Sequence, residues 1–206
     1  MTDLRKVLLS CGILAVLVYI AVVVVADVIT TGHDPVVNSV SELIGTGAVN
    51  RDLYTPFFAL SALLFIAYGV GAVLSFRESR SRLLTIGGAL IVVYGISAAL
   101  IAVAFPIDPI GEALTFQGSM HLALVAITAP IIMATILLIG YGLYRNGRRL
   151  FGLYSAVTFV IVVGFGASSL YLISNGIPLL GLVERVTQYA YMLWYLVLAV
   201  MLIRDQ

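Results

Sequence analysis

Six long apolar stretches, separated by shorter polar segments, dominate the pattern along the chain. About twenty apolar residues cross the hydrocarbon core of a bilayer, and a helix pairs its own backbone amides there. The pattern predicts transmembrane helices at Val7–Ala26, Leu53–Phe76, Leu83–Phe105, His121–Tyr144, Leu150–Ser174 and Thr187–Ile203. The expected fold class is all-α, a polytopic membrane bundle of six helices that occupies residues 1–206 as a single domain.

The composition supports a membrane location. Hydrophobic residues make up 62% of the chain and charged residues 10%, whereas soluble domains average roughly 45–50% and about 25%. Membrane lipids are therefore the expected surroundings. The net charge is +1, which gives no electrostatic reason to expect a nucleic-acid partner.

Lysine and arginine residues are distributed unequally between the two sides of the predicted bundle. Nine of the eleven lie on the side of the termini, and the other two are Arg51 and Arg185. Because cytoplasmic segments of membrane proteins are enriched in these residues, both termini are expected to be cytoplasmic. The chain is then a multi-pass protein of the cell membrane, with polar loops 27–52, 106–120 and 175–186 on the outer side.

The middles of the six stretches contain no Asp, Glu, Lys or Arg. Pumps and voltage sensors place ionisable groups at this depth, so neither class is expected, while a carrier of neutral solutes stays open. Small residues such as Gly69, Gly88, Gly164 and Gly166 are expected to permit close contacts between helices.

Polar side chains collect in the three outer loops, where one shared cleft can bring them together. The ligand-binding candidates are Ser41, Glu42, Asp108, His121, Glu184 and Arg185. Arginine suits a carboxylate or a lipid phosphate because it can bind either group bidentately. Acid–base catalysis is a second possibility, with His121 and Asp108 as the candidate residues.

Glu42, Asp108 and His121 also have a structural interpretation. Ser39 and Glu42 fit the S-x-x-E capping box at a helix start. Asp108, which follows Phe105-Pro106, suits a loop or a cap. His121 suits a hydrogen bond at the start of a helix. The sequence leaves both interpretations open.

Two histidines, His33 and His121, raise the possibility of a metal site. Together with Asp34, Asp108 or Glu42 they supply the three protein ligands of a catalytic zinc. The chain contains no H-E-x-x-H or similar spacing. The cofactor, if any, stays unassigned.

The loop motifs also resemble a known family. The Asp-Pro segment before Ser41-Glu42-Leu43, the Phe105-Pro106-x-Asp108 motif, His121 at a helix start, and Gly181-Leu182-x-Glu184-Arg185 together resemble the bacterial and archaeal membrane family called domain of unknown function 998. The resemblance covers nearly the whole chain and implies a six-helix bundle with its polar motifs at one face. The loop after the first helix also resembles that of Frag1/DRAM/Sfk1 membrane proteins.

Three functions follow as hypotheses. The first is a membrane protein that binds a lipid headgroup, a small polar ligand or a partner subunit at the outer polar cleft. The second is an enzyme, a hydrolase or transferase, acting on a lipid at the outer face. The third is a carrier of neutral solutes. The first demands least of the residues and is preferred for that reason.

Overall fold

A computed structural model describes residues 2–205 as a helical protein. Its helices are α1 (Thr2–Ile29), α2 (Arg51–Glu78), α3 (Arg82–Val103), α4 (Phe116–Arg145), α5 (Arg149–Ser174) and α6 (Leu180–Arg204). A short 3₁₀ helix, Val40–Ile44, lies in the loop after α1. All six α-helices are long and apolar enough to cross a membrane. The predicted fold class, an all-α membrane bundle of six helices, is confirmed.

The helices form a closed ring. Each helix packs against its neighbours in sequence, and α6 packs against α1 to complete the circle. Short connections between antiparallel neighbours favour this arrangement. The ring brings the start of α6 beside the end of α1, two segments that are far apart in the sequence.

Aromatic side chains fill the middle of the ring. Phe65 of α2, Tyr94 of α3 and Tyr195 of α6 have ring centroids 5.0–5.6 Å apart. Trp194 is fully buried, and its indole N–H donates to the Ser155 hydroxyl on α5 at 2.9 Å. This hydrogen bond links α6 to α5 inside the bundle.

Ion pairs place both termini at the same end of the ring. Arg5 pairs with Glu78 at 2.5 Å, and Arg148 pairs with Asp205 at 2.6 Å. These contacts join α1 to the end of α2, and the α4–α5 turn to the end of α6. We call this end the basic end, and the opposite end, with the three longer connections, the loop end.

Glycines allow the backbones of α2 and α3 to approach closely. A β-carbon at Gly69 would lie 2.6 Å from the Val92 nitrogen, and one at Gly88 would lie 2.9 Å from the Val73 nitrogen. The close contacts expected at these two positions are confirmed. The same expectation is wrong for Gly164 and Gly166, which have open space around them because they lie on an outward face of α5.

Several helices extend beyond the predicted apolar stretches. Helix α1 ends at Ile29, so Asp27 lies in its last turn and not in the loop. Helix α4 begins at Phe116, which places His121 in its second turn. Helix α6 begins at Leu180, seven residues before the predicted Thr187, and includes Glu184 and Arg185. Hydropathy locates the part of a helix inside hydrocarbon, whereas the helical backbone continues into the polar interface.

Candidate functional site

A buried ion pair joins α6 to α1 at the loop end. The Arg185 guanidinium binds both carboxylate oxygens of Asp27, with Nε–Oδ2 at 2.9 Å and Nη2–Oδ1 at 2.5 Å. The Arg185 and Asp27 side chains are only 7% and 13% exposed. Removing one partner of a buried, bidentate pair is strongly destabilising, because it leaves an uncompensated buried charge.

The remaining donors of Arg185 bind the loop between α1 and α2, which we call the first loop. Its Nη1 group donates to the carbonyl oxygens of Asn38 at 2.8 Å and Gly181 at 3.1 Å. Its Nη2 group also contacts the His33 Nε2 atom at 3.0 Å. A guanidinium has five N–H donors, and all five have partners here. We call Asp27, His33, Asn38 and Arg185 the Arg185 cluster.

His33 is neutral in this cluster. Arginine can only donate, so the His33 Nε2 atom that faces Arg185 must be the acceptor. The ring proton is then on Nδ1. Burial lowers the pKa of His33 below its ordinary value, and the positive charge of Arg185 lowers it further, against the opposing effects of Asp27 and Glu42.

Acidification is expected to destabilise the protein through His33. Because the folded pKa lies below the unfolded value of about 6.5, the unfolded chain binds the proton more readily. Above the unfolded pKa, His33 is neutral in both states and its contribution to stability is complete. As the pH falls from the unfolded pKa towards the folded pKa, that contribution is lost. The slope is at most about 1.4 kcal/mol per pH unit.

The measurement is the free energy of unfolding of detergent-solubilised protein between about pH 7 and pH 5, compared with a His33→Gln variant. Glutamine keeps an acceptor for Arg185 and removes the titration, so its acid loss should be smaller. Equal losses in both proteins would assign the acid sensitivity to other groups.

Glu184 forms a second connection between α6 and the first loop. One carboxylate oxygen accepts from the Val40 amide at 3.1 Å, and the other accepts from the Gln188 side chain at 2.8 Å. The Gln188 carbonyl in turn accepts from the Tyr19 hydroxyl of α1 at 2.5 Å. Glu184 thereby joins the start of the 3₁₀ helix to both α6 and α1.

The first amides of α6 are also bonded to the loop. The Gly181 amide donates to the Val37 carbonyl at 3.2 Å, and the Leu182 amide donates to the Val36 carbonyl at 2.9 Å. Such amides lack partners inside their own helix. The loop therefore completes the start of α6, and its backbone lies directly against Gly181.

The predicted capping box is confirmed. The Glu42 carboxylate accepts from the Ser39 amide at 2.6 Å at the start of the 3₁₀ helix. Its second oxygen accepts from the Asn38 side chain at 3.0 Å. Asn38 therefore contacts Arg185 through its carbonyl and Glu42 through its amide group, linking the two sets of polar groups.

Asp108 and His121 organise the connection between α3 and α4. The Asp108 carboxylate accepts from the Thr115 amide at 2.7 Å and from the Thr115 hydroxyl at 2.9 Å. The Thr115 hydroxyl caps α4 by accepting from the Gly118 amide. His121 is buried, and its Nδ1 atom is 2.8 Å from the Phe105 carbonyl. Both side chains thus have structural partners.

A pocket of about 210 Å³ opens beside the Arg185 cluster. Its polar lining comes from Thr30, Thr31, His33, Asn38, Glu42 and Asn50. Within the described part of the chain, these lining residues include one carboxylate and no lysine or arginine. The pocket therefore offers hydrogen-bond acceptors and a negative charge.

The loop between α1 and α2 contacts both the start of α6 and the connection between α3 and α4. Besides its contacts with α6, its Thr46 amide donates to the Ile107 carbonyl of the second connection at 2.8 Å. Of the candidate residues, Glu42 lines the pocket. Glu184 and Arg185 bind the loop that forms the pocket. Asp108 and His121 bond within the α3–α4 connection. Ser41 lies half-buried on the 3₁₀ helix.

The two histidines of the metal hypothesis have different partners. His33 contacts Asp27 and Arg185, and His121 contacts the Phe105 carbonyl. Among residues 2–205, no group of three or more His, Cys, Asp or Glu side chains is arranged to hold a metal ion. A metal role for His33 and His121 stays a prediction without geometric support.

The apolar pattern places Asp27 in the polar loop 27–52 and does not indicate its role in the fold. Its partner Arg185 lies 158 residues away. One signal was present: Asp27 follows the first apolar stretch and Arg185 precedes the last, so the two opposite charges lie at one membrane surface. Closure of the ring between α1 and α6 brings them into contact.

Comparisons with known proteins agree with this architecture. The family model described as protein of unknown function (DUF998) matches residues 13–201, which is most of the chain. No curated protein and no solved structure matches. The match covers most of the chain and overlaps all six helices that are long and apolar enough to cross a membrane, so we conclude that this chain belongs to the DUF998 family.

Proposed function

We propose that the protein binds a small polar ligand or a lipid headgroup in the pocket at the loop end. The observation that carries this proposal is the position of Glu42, whose carboxylate lines a pocket without lysine or arginine among its described lining residues. Each Glu42 oxygen accepts one hydrogen bond within the protein and has a second lone pair for a ligand.

The chemistry of the pocket favours a ligand with ammonium or hydroxyl donors. Glu42 supplies a negative charge, while Thr30, Asn38 and Asn50 supply neutral polar groups. Arg185 was expected to bind a phosphate, but all five of its donors are bonded within the protein. A headgroup amine suits this pocket better than a bare phosphate does.

The test is native mass spectrometry of protein released gently from its own membrane. We expect a discrete added mass on the wild-type chain and on a Glu112→Gln control, which removes an exposed carboxylate from the second outer loop. In Glu42→Gln the affinity should fall on the order of tenfold or more, because a hydrogen bond to a charged group is lost.

Phosphatidylethanolamine, added back to delipidated protein, is the defined probe for an amine headgroup. Equal retention by the Glu42 and Glu112 variants would contradict the proposal, as would a bare wild-type chain that does not bind the added lipid. A chain isolated only with other subunits would favour the partner-subunit version of the hypothesis.

The enzyme and carrier hypotheses are less well supported. Asp108 and His121 bond to Thr115 and Phe105, so the acid–base candidates already serve the α3–α4 connection. Aromatic side chains occupy the middle of the ring, where a carrier needs a central path. Binding in the outer pocket requires neither catalysis nor a path through the bundle.

A further inference from the structure

The turn between α2 and α3 concentrates positive charge at the basic end. Arg77 lies in the last turn of α2, Arg80 lies in the connection, and Arg82 begins α3. All three side chains are exposed. This turn lies at the opposite end of the ring from the Arg185 cluster and plays no part in the function proposed above.

These arginines have no acidic partner within residues 2–205. The carboxylate between them in the sequence, Glu78, pairs instead with Arg5 of α1 at 2.5 Å. Across the same residues, the recorded ion pairs involve other basic side chains. Three like charges near one another are unfavourable unless an anion or solvent screens them.

Arg77, Arg80 and Arg82 all line one open pocket of about 370 Å³, whose walls are mainly the apolar parts of the lining side chains. Its complete lining consists of Arg77, Arg80, Ser81, Arg82, Thr85 and Ile86. Arginine suits phosphate because its planar donors match the phosphate oxygens, and hydroxyl groups add further donors. Ile86 is half-exposed one turn into α3, so the pocket also has an apolar side towards the membrane.

The backbone at Arg80 is consistent with a role for its side chain. Arg80 has a φ of +53°, in the left-handed region that favours glycine. The other turn at the basic end has Gly147 in that region, with a φ of +89°. The α2–α3 turn therefore keeps a long cationic side chain where glycine would suit the backbone better.

We propose that the α2–α3 turn is a phosphate-binding site, and that its ligand is the headgroup of an anionic phospholipid in the leaflet at the basic end. The unpaired arginines supply the charge, and the position of Ile86 lets an acyl chain lie against α3. Free phosphate offers the same oxygens without the acyl chain, so the two sources can be distinguished experimentally.

The test compares Arg77→Gln and Arg80→Gly with Arg149→Gln, which removes an exposed charge from the same end but outside the pocket. Delipidated full-length protein in an uncharged detergent is titrated with phosphatidylglycerol, phosphatidylcholine or inorganic phosphate, and bound ligand is measured by native mass spectrometry. Arg80→Gly relieves the left-handed backbone, so its unfolding temperature should not fall, and lost binding is then not caused by misfolding.

We expect phosphatidylglycerol to bind more tightly than phosphatidylcholine. Arg77→Gln and Arg80→Gly should each weaken phosphatidylglycerol binding about fivefold, while the Arg149 control stays close to wild type. Tight binding of inorganic phosphate, lost in the same two variants, would support the site but identify a free anion as its ligand. Equal losses in all three variants would show that binding depends only on general surface charge and would overturn the proposal. Equal affinity for phosphatidylglycerol and phosphatidylcholine would also overturn it.

Discussion

Replacing Arg185 with alanine is expected to lower the free energy of unfolding by about 3–5 kcal/mol, because it leaves the buried Asp27 carboxylate without its partner. The same change removes the donors to the Asn38 and Gly181 carbonyls. No other substitution proposed for this chain breaks as many buried hydrogen bonds. The measurement is equilibrium unfolding of the protein in detergent.

The exposed pair at the basic end supplies a matched control. Arg148 and Asp205 are 2.6 Å apart, but their side chains are 53% and 36% exposed. Arg148→Ala should therefore cost less than about 1 kcal/mol. An Asp27→Ala variant and the double variant with Arg185→Ala complete a mutant cycle, in which the two losses should not add. Similar small losses for Arg185 and Arg148 would show that the buried pair contributes little.

Replacing Gly181 with alanine is the second large effect we expect. A β-carbon at this position would lie 2.6 Å from the Pro35 carbonyl oxygen and closer still to that of Asn38. Both contacts are with backbone, so the first loop must move away from α6. Such overpacking typically costs about 1–3 kcal/mol, and here the displacement also strains the hydrogen bonds of Arg185.

Gly164→Ala is the control for this substitution, because nothing lies within 4 Å of a β-carbon there. Alanine favours helix over glycine, so this variant should match or exceed the wild-type unfolding temperature. Gly181→Ala should unfold at a clearly lower temperature. If both alanine variants behaved alike, the close packing of the loop on α6 would be contradicted.

The number and order of the helices could be predicted because hydropathy is a signal averaged over about twenty residues. Helix ends could not be predicted in this way, as α6 illustrates. Glu184, Arg185 and Gln188 interrupt its apolar pattern, yet they are helical because α1 and the first loop satisfy their polar groups. Hydropathy measures affinity for lipid and contains no information about such partners.

Local parts of the candidate site were predictable, and distant ones were not. Ser39 and Glu42 lie three residues apart, so the capping box is visible in the sequence. The pairing of Asp27 with Arg185 depends on closure of the ring, which no local pattern encodes. Arg185 therefore looked like a phosphate ligand in the sequence, although in the fold it binds the first loop.

The claim common to both large effects is that the first loop is folded against the start of α6. Disulfide formation between Val36→Cys and Leu182→Cys, in a Cys11→Ser background and in native membranes, tests it most directly. The Leu182 amide donates to the Val36 carbonyl at 2.9 Å, which brings the two backbones into the range of a disulfide, with Cα atoms about 4.4–6.8 Å apart.

We predict that mild oxidation links these two cysteines within one chain in most molecules. Adding Gly181→Ala should reduce the yield, and the Val36→Cys single variant should report any links between chains. Two free thiols in most chains after oxidation would contradict the account, because the loop would then not lie against α6 and the Arg185 cluster could not form.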